Sequence, residues 1–303
     1  MNILITGATG FIGSHLCERL HEQNFVVHAL GNKGRIVPKC TQFYQLNLDG
    51  IPWNMLPSKI DVCIHQAANN FTQDYDIANM IQSNVISPSN MFYRLFEEKK
   101  CRQFIYASSA SIYGNEKVPQ TEFKTKLNPL TPYAKSKMQF EQFAQVFGKE
   151  KKCSVVGLRY SNVFGPNEYL KGSRASMVYQ LLQNVLNDET PKLFKFGEHK
   201  RDWVYVDDVV NANILAMNYK DTNIFNVGSG ESVSMNRVLE IINQELGKNI
   251  MPEYIDNNIT STYQNESKLN LTNSNTFLGY KPEMAAEDRI SSFVKLMARG
   301  AKN

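Results

Sequence analysis

The stretch NILITGATGFIG at residues 2–13 decides the fold of this chain. Its first five residues form an apolar, β-branched run typical of a buried strand, and a helical pattern follows the glycines. Glycine is required between the two because the backbone must turn tightly and approach a pyrophosphate at the helix N-terminus, where amide donors and the helix dipole favour negative charge. The stretch therefore predicts a dinucleotide site that includes Gly7, Gly10, Phe11, Ile12 and Gly13.

The alternation of strand and helix patterns continues through the first half of the chain. Further β-branched runs predict strands at residues 25–30, 43–48, 61–65, 103–107 and 154–158. Helical patterns occur at residues 11–22, 75–98 and 132–147. Strands that alternate with helices indicate parallel pairing. The predicted fold class is α/β, with a Rossmann-like doubly wound parallel sheet.

The pattern changes after residue 160, where a loop rich in Gly, Pro and Asn precedes shorter elements. Asp207 or Asp208 is a candidate cap for a helix that runs to about Met217. The other predicted elements are strands at 192–196 and 224–227, and helices at 175–187, 235–246 and 286–297. We therefore expect a smaller, discontinuous substrate-binding lobe. The predicted division gives residues 1–160 and about 201–228 to the dinucleotide-binding domain, and 161–200 and 229–303 to the lobe.

Composition bounds the class of protein. The chain has 303 residues, of which 42% are hydrophobic and 20% charged, as in folded globular proteins. Its net charge of +4 suits small anionic ligands and is too small for a nucleic-acid binder. Five scattered cysteines argue against a disulfide framework and against a zinc site, so we expect no metal and a reduced, cytoplasmic compartment. Because no run approaches the ~18 apolar residues of a membrane helix and no signal peptide is expected, we predict no membrane partner.

The end of the second predicted strand bears on the choice of dinucleotide. NAD sites carry an acidic residue there, which accepts hydrogen bonds from the ribose 2′-hydroxyl. This chain has GNKGR instead, where Lys33 and Arg35 are suited to a 2′-phosphate and Asn32 lies beside them. NADP is therefore the predicted cofactor, with NAD as the alternative. Asn47 and Leu48, at the end of the third predicted strand, are expected near the adenine.

A Tyr-x-x-x-Lys pair marks the candidate catalytic centre. Tyr133 and Lys137 begin a predicted helix with Thr131 as its N-cap, so the two side chains share one face. Tyrosine has a reference pKa of ~10 and acts as a base near neutrality only if its phenolate is stabilised. The ammonium of Lys137 and the positive charge of an oxidised nicotinamide would provide that stabilisation. Ser109, after the fifth predicted strand, is placed to hydrogen-bond the same substrate oxygen.

Several motifs, in this order, resemble the nucleotide-sugar epimerase/dehydratase branch of the extended short-chain dehydrogenase/reductase superfamily. They are the glycine turn, HQAA at 65–68, YASSASIYG at 106–114, the Tyr133/Lys137 pair, LRYSNVFGP at 158–166 and RDWVYVDDV at 201–209. The resemblance implies that Ser109, Tyr133 and Lys137 move a proton while a bound nicotinamide takes a hydride from a sugar carbon. It further implies cofactor contacts from Ala67, Ala68, Tyr133 and Lys137. Nucleotide-sugar contacts are implied for Asn162, Phe194 and Arg201.

Within that branch the chain is most similar to nucleotide-heptose 6-epimerases. The similarity lies in RYSNVFGPNEYLKGSRASM at 159–177, in PKLFKFGEHKRDWVYV at 191–206 and in the Tyr263-Gln264 pair. It implies that Lys171 is a second catalytic base, on a loop that covers the substrate, and that Lys171 and Tyr263 both contact the substrate. The departures are HQAANNFTQDYD at 65–76 and Asn270, which replaces an aspartate. They leave the sugar and the nucleotide base open.

The predicted activity is that of an NAD(P)-dependent nucleotide-sugar epimerase, which transiently oxidises its substrate to a ketone, on a nucleotide-activated heptose. A nucleotide-sugar 4-epimerase and an NADPH-dependent keto-sugar reductase are the alternatives, because both use the same serine, tyrosine and lysine. A dehydratase would need an acidic pair where this chain has Ala110 and Ser111. A non-enzymatic cofactor sensor would not need the complete catalytic set.

The quaternary structure is predicted from two long helices. The patterns at 75–98 and 132–147 are long enough to form an intersubunit helix bundle, as the resemblance implies. Their apolar stripes would equally suit an intramolecular core. A homo-oligomer is the expectation.

Overall fold

A seven-stranded parallel sheet forms the centre of the protein in the computed structural model, which describes residues 1–32, 37–71, 76–257 and 263–300. The strands of the chain are β1 (Asn2–Thr6), β2 (Val26–Gly31), β3 (Gln42–Gln45), β4 (Val62–His65), β5 (Gln103–Ser109), β6 (Ser154–Tyr160), β7 (Asn162–Phe164), β8 (Lys192–Phe194), β9 (Lys200–Arg201), β10 (Trp203–Tyr205), β11 (Asn223–Val227), β12 (Val233–Ser234) and β13 (Glu253–Ile255). The central sheet has the order β11-β6-β5-β4-β1-β2-β3, and all its neighbouring pairs are parallel. The order reverses between β1 and β4, which confirms the doubly wound Rossmann-like α/β fold.

Helices cover both faces of this sheet. They are α1 (Phe11–Glu22), α2 (Ile77–Ile81), α3 (Ser87–Glu98), α4 (Pro132–Lys151), α5 (Met177–Leu186), α6 (Val206–Ala216), α7 (Met235–Leu246) and α8 (Ala286–Gly300). Helices α1 and α6 share one apolar core with the sheet, and α3 and α4 share another. Short 3₁₀ turns lie at Leu48–Gly50, Trp53–Met55, Ala110–Tyr113 and Glu168–Arg174, and π turns at Gln82–Ile86 and Ser274–Leu278.

The remaining elements build a separate layer over the carboxyl end of the sheet. Strand β7 pairs with β10 and β8 pairs with β13, both in parallel, while β9 pairs antiparallel with β12. Helices α5, α7 and α8 bury their own apolar core, which includes Val178, Leu239 and Phe293. The predicted residue bounds of the two domains stay a prediction.

The end of β3 and the cap of α6 differ from their predictions for local reasons. Strand β3 ends at Gln45 instead of residue 48, because Asn47 is the N-cap of the 3₁₀ turn Leu48–Gly50. Neither Asp207 nor Asp208 caps α6, since extended Tyr205 is its N-cap and both aspartates lie in its first turn. In the first turn their charges still favour the positive end of the helix dipole.

The helix predicted at 75–98 is described from Ile77 and contains the π turn Gln82–Ile86 between α2 and α3, while residue 75 lies outside the described part. Helix α4 runs to Lys151, longer than predicted, and begins as predicted with Thr131, whose Oγ1 accepts a hydrogen bond from the Ala134 amide at 3.1 Å. Within the described ranges, no helix has the length and apolar character to cross a membrane.

Candidate active site

A cleft of about 840 Å³ lies at the reversal of strand order between β1 and β4, where open α/β sheets bind ligands. It brings together most of the predicted site residues. Those that line it are Gly7, Gly10, Phe11, Ile12, Gly13, Asn32, Asn47, Leu48, Ala67, Ala68, Ser109, Tyr133, Lys137, Asn162, Lys171, Arg201 and Tyr263. Phe194 reaches the cleft only through its contact with Tyr263, and Lys33 and Arg35 lie outside the described residues.

The glycine turn forms a cradle that only glycine fits. Gly7 has a φ of +69°, and a Cβ there would lie 2.6 Å from the backbone nitrogen of Ala67. A Cβ on Gly13 would lie 2.1 Å from the carbonyl oxygen of Gly7. Gly10 is the N-cap of α1 and has no side chain that could accept hydrogen bonds from the first amides of the helix. Amides in a tight cradle at a helix N-terminus suit a pyrophosphate, so the turn fits a nicotinamide dinucleotide.

The ribose end of this site is only partly described. A Cβ on Gly31 would lie 2.6 Å from the Thr9 side chain, so the end of β2 lies against the glycine turn. Asn32 and Asn47 both line the cleft beside it. Residues 31 and 32 bring no carboxylate to this point. The two cations on which the NADP prediction rests have no described position.

The first turn of α4 presents Tyr133 and Lys137 to the cleft, as the four-residue spacing predicts. The Lys137 ammonium lies 5.8 Å from the centre of the Tyr133 ring. The same Nζ donates a hydrogen bond to the carbonyl oxygen of Ala107 at 2.9 Å, on β5. Ser109 ends that strand, and its Oγ lies 2.9 Å from Ser111 Oγ. Strand β5 and helix α4 therefore bring the three predicted groups to one wall.

Burial has a large effect on the titration of these groups. It raises the pKa of Tyr133 to about 12, although the hydrogen bond to Ser109 acts to lower it. Stabilisation of the phenolate by Lys137 together with an oxidised nicotinamide therefore stays a prediction. Burial also lowers the pKa of Lys137 to about 8. His65 is buried beside Lys137, and burial first and the lysine charge second lower its pKa to about 3, so His65 is neutral.

Replacing Lys137 by methionine is expected to change the pH dependence of stability. The pKa of Lys137 is about 8 in the folded protein and ~10.4 in an unfolded chain, so between these pH values the unfolded state binds more protons. Wild-type stability therefore falls as the pH is lowered through this window, and methionine removes that loss. Relative to wild type, Lys137→Met should gain roughly 3 kcal/mol from pH 10.4 to 8, and no more below. Urea unfolding of cofactor-free protein measures it, and a pH-independent difference would contradict it.

A buried polar network anchors α4 behind this wall. Glu141 lies one helical turn after Lys137 and accepts a hydrogen bond from Arg159 Nε at 3.0 Å on β6. Ser108 Oγ donates to the same carboxylate at 2.8 Å, and Arg159 Nη1 donates to the Tyr113 hydroxyl at 2.7 Å. These contacts tie α4 to β5 and β6. The spacing of Glu141 and Arg159 along the chain does not indicate that they pair, so this network was not predicted from the sequence.

Lys171 lies in the 3₁₀ turn Glu168–Arg174, on the connection between β7 and α5. Its Nζ lies 2.6 Å from Glu168 Oε1 and donates to the carbonyl oxygen of Val163 at 3.4 Å. The same ammonium lies 5.0 Å from the centre of the Phe11 ring, at the start of α1. The structure therefore brings Lys171 to the glycine turn as well as to the cleft, and adds Glu168, which no sequence motif marked.

The far end of the cleft is aromatic and cationic. The Arg201 guanidinium lies 4.9 Å from the centre of the Tyr263 ring, and Phe194 meets the same ring edge to face at 5.2 Å. Burial lowers the pKa of Arg201, a cost that a bound diphosphate would offset. Among the described residues, the Asn162 side-chain Nδ2 donates only over long distances, 3.4 Å to the Asp202 carbonyl and 3.5 Å to Ser267 Oγ. These side chains suit a base stacked on an aromatic ring and a diphosphate beside it.

The structure adds cleft residues that no motif singled out. Arg174 Nη1 donates to Asn70 Oδ1, which joins the loop after β4 to the turn before α5. Both residues line the cleft, together with Ser176. The position of Arg174 three residues after Lys171, in the segment that resembles the heptose epimerases, could have indicated that it lies in the cleft. In the described parts of the chain, no group of three or more His, Cys, Asp or Glu side chains could hold a metal ion.

The sequence matches one family model over most of its length. The model of the NAD dependent epimerase/dehydratase family matches residues 3–228. Among curated proteins, a putative UDP-glucose 4-epimerase of Methanocaldococcus jannaschii is 30% identical over 310 aligned residues. That alignment covers 97% of this chain and 98% of the relative.

Solved structures share the fold over the sheet and the lobe. ADP-L-glycero-D-manno-heptose-6-epimerase of Helicobacter pylori is 30% identical with a TM-score of 0.87, covering 98% of this chain and 96% of that one. UDP-glucose 4-epimerase of Thermus thermophilus, solved with NAD, is 28% identical with a TM-score of 0.88. It covers 99% of this chain and 100% of its own. The likeness thus extends over nearly the whole chain.

Proposed function

The chain belongs to the NAD dependent epimerase/dehydratase family, and from this premise we propose that it is a nucleotide-sugar epimerase acting through a transient ketone. One observation carries the proposal. A single cleft holds the pyrophosphate cradle, the Ser109, Tyr133 and Lys137 group, and the Arg201 and Tyr263 end suited to a nucleotide diphosphate. A pure cofactor binder would not need the last two parts.

Each group in the cleft has a role in this proposal. A nicotinamide dinucleotide held at the glycine turn of Gly7, Gly10 and Gly13 would supply the acceptor and donor of the hydride that leaves and returns to the sugar carbon. Tyr133 takes the proton of the carbinol oxygen and gives it back, and Ser109 hydrogen-bonds that oxygen. The Lys137 ammonium lies close enough to the Tyr133 ring to favour the phenolate once it forms. Arg201 holds the diphosphate by bidentate hydrogen bonds.

Two substrates are supported by different observations. A nucleotide-activated heptose, inverted at carbon 6, is supported by Lys171, which gives the cleft a second proton-transfer group on a separate loop. A nucleotide-sugar 4-epimerase is supported equally by the relatives, of which two carry that activity in their names. We propose the heptose reaction first because a 4-epimerase has no evident need for Lys171. A keto-sugar reductase would use the same Tyr133 group.

A substrate panel tests the proposal. Purified protein is incubated with UDP-hexoses, UDP-N-acetylhexosamines and ADP- and GDP-activated heptoses, with no added dinucleotide, and the products are followed by NMR. Inversion at carbon 6 supports the heptose reaction, and inversion at carbon 4 supports the alternative. A parallel assay supplies a keto-sugar nucleotide and NADPH, and turnover only there, with stoichiometric consumption of NADPH, would assign the reductase. No change in any sugar of the panel would reject the epimerase.

The choice between NADP and NAD is a further part of the proposal. We propose NADP because residues 31 and 32 bring no carboxylate to the ribose and because Lys33 and Arg35 follow them. The family description and the Thermus thermophilus relative speak for NAD. Calorimetric titration of dinucleotide-free protein with both cofactors decides, and tighter binding of NAD would reject NADP.

We also propose a homo-oligomeric state and a cytoplasmic location for the protein. The helices α3 and α4 and the turn before them expose large apolar side chains, with Ile86 44%, Tyr93 40% and Val146 54% exposed, which favours a helix bundle with a second copy of the chain. The cytoplasmic location rests on the unpaired state of the five cysteines.

A further inference from the structure

A buried carboxylate beside the cleft has no part in the cofactor turn or in the Tyr133 group. Glu168 is 0% exposed and opens the 3₁₀ turn that carries Lys171. We propose that Glu168 is a positioning residue, whose carboxylate holds the Lys171 ammonium at the cleft wall where it exchanges protons with the substrate. This inference rests on the proposed function, since it concerns the second proton-transfer group of the same site.

Glu168 is fully engaged by donors. Its Oε1 accepts from Lys171 Nζ at 2.6 Å and from the Ser176 amide, and its Oε2 accepts from Ser176 Oγ at 2.9 Å. A buried charge is stable only when it is paired and hydrogen-bonded. Lys171 supplies the opposite charge, while its own side chain keeps 19% exposure. The ammonium therefore lies between a buried carboxylate and the open cleft.

Two further contacts define the place of this ammonium. The Val163 carbonyl lies 3.4 Å from Nζ, and the Phe11 ring centre lies 5.0 Å from it. Lysine has a long, flexible side chain, so an unanchored ammonium would sample many positions. An error of ~1 Å in the place of a reacting group costs on the order of 10²-fold in rate. The ion pair with Glu168 restricts the position of the Lys171 ammonium, which is the group proposed to exchange a proton.

Glu168 also contacts the start of α5, which gives a competing structural role. Ser176 is the N-cap of α5, and its Oγ accepts from the Tyr179 amide at 3.2 Å while it donates to Glu168. If Glu168 only supports this helix end, its loss acts on folding and on every step alike. If it positions Lys171, its loss acts on the step that Lys171 serves.

Two variants separate these roles. Glu168→Gln keeps the shape of the side chain and removes its charge. The matched control is Gln180→Ala, which removes the hydrogen bond from Gln180 Nε2 to the Ala175 carbonyl at 2.6 Å at the start of α5, lies outside the cleft lining and keeps the carboxylate–ammonium pair. We expect Glu168→Gln to slow epimerisation by about 10- to 100-fold and Gln180→Ala by less than about 3-fold. With each epimer supplied alone, single-turnover formation of reduced cofactor is expected to slow in Glu168→Gln for one epimer only.

A double variant links the effect to Lys171 without any need for turnover. Lys171→Met leaves Glu168 buried and unpaired, so this variant is expected to melt below wild type. Adding Glu168→Gln removes the unpaired charge and is expected to raise the melting temperature again. In the half-reaction that remains in Lys171→Met, the added substitution is expected to change the rate by less than about 2-fold.

Wild-type rates in Glu168→Gln, equal slowing of both epimers, or further loss of the half-reaction in the double variant would each overturn the positioning role. So would full epimerisation by Lys171→Met. Failure of the proposed function is distinct, because it is seen with wild type: no sugar is epimerised, whatever the melting temperatures of the variants. Confinement of the loss to one epimer, with recovery of stability in the double variant, supports the inference.

Discussion

Replacing Tyr133 by phenylalanine is expected to lower the turnover of epimerisation by about 10²- to 10⁴-fold, the range for loss of a general acid–base group. The substitution deletes one oxygen atom and keeps the ring that packs at the start of α4. That oxygen is the group placed to exchange a proton with the carbinol, because it shares the cleft wall with Ser109 and Lys137. Initial rates by NMR measure the loss, and calorimetry measures dinucleotide affinity, which is expected to stay within a few-fold of wild type.

The matched control for this variant is Tyr160→Phe. Tyr160 lines the same cleft, but its hydroxyl accepts hydrogen bonds from Asn213 at 2.8 Å and Gln66 at 3.0 Å and has no proposed role in the reaction. We expect its turnover to fall by less than about 10-fold, because the two lost hydrogen bonds support the cleft wall and take no part in proton transfer. Equal losses in the two variants, or wild-type turnover in Tyr133→Phe, would show that Tyr133 is not the proton-transfer residue.

Replacing Lys171 by methionine is expected to nearly abolish epimerisation and to leave the oxidation of one epimer measurable. A hydroxyl at one position cannot stay within the ~3 Å reach of proton transfer for two alkoxide positions that lie apart. Lys171 is the second group, and the loss is expected to reach about 10²- to 10⁴-fold in the direction it serves. Each epimer is supplied separately, and the absorbance of reduced nicotinamide is followed in a single turnover. Tyr133→Phe is expected to impair the opposite epimer more.

Two controls accompany the lysine variant. Lys59→Met removes another paired lysine, 2.8 Å from Asp61 and distant from the cleft, and is expected to keep wild-type rates. The Glu168→Gln/Lys171→Met protein corrects for the buried charge that Lys171→Met leaves unpaired. Full epimerisation by folded Lys171→Met would contradict a second base and favour a 4-epimerase that relies on Tyr133 alone.

The parts of the site that the sequence predicted are those that depend on neighbours along the chain. The glycine turn needs only a strand, three glycines and a helix start, all within residues 2–22, and the structure confirms it. The Thr131 cap and the shared face of Tyr133 and Lys137 follow from helical geometry. The parallel pairing of the strands follows from the alternation of strands and helices along the chain.

The features that the sequence did not predict depend on contacts between residues that are far apart along the chain. Asp207 and Asp208 are good caps by composition, but pairing of β10 with β7 keeps the chain extended to Tyr205 and moves the helix start to Val206. The sequence also carries no sign of the burial that raises the pKa of Tyr133 to about 12. Neither burial nor strand pairing across 40 residues is visible in a short window of sequence.

The sequence by itself determined the fold class, the strand–glycine–helix turn at residues 2–13 and the shared helical face of Tyr133 and Lys137, because each is encoded in residue types at short, regular spacing. Only the tertiary structure determined which charged side chains form ion pairs. It pairs Glu141 with Arg159 in the interior, and it places Glu168 between Lys171 and the cap of α5. A carboxylate acquires such a role only when packing removes it from water and leaves a particular cation within reach, and that depends on the whole fold.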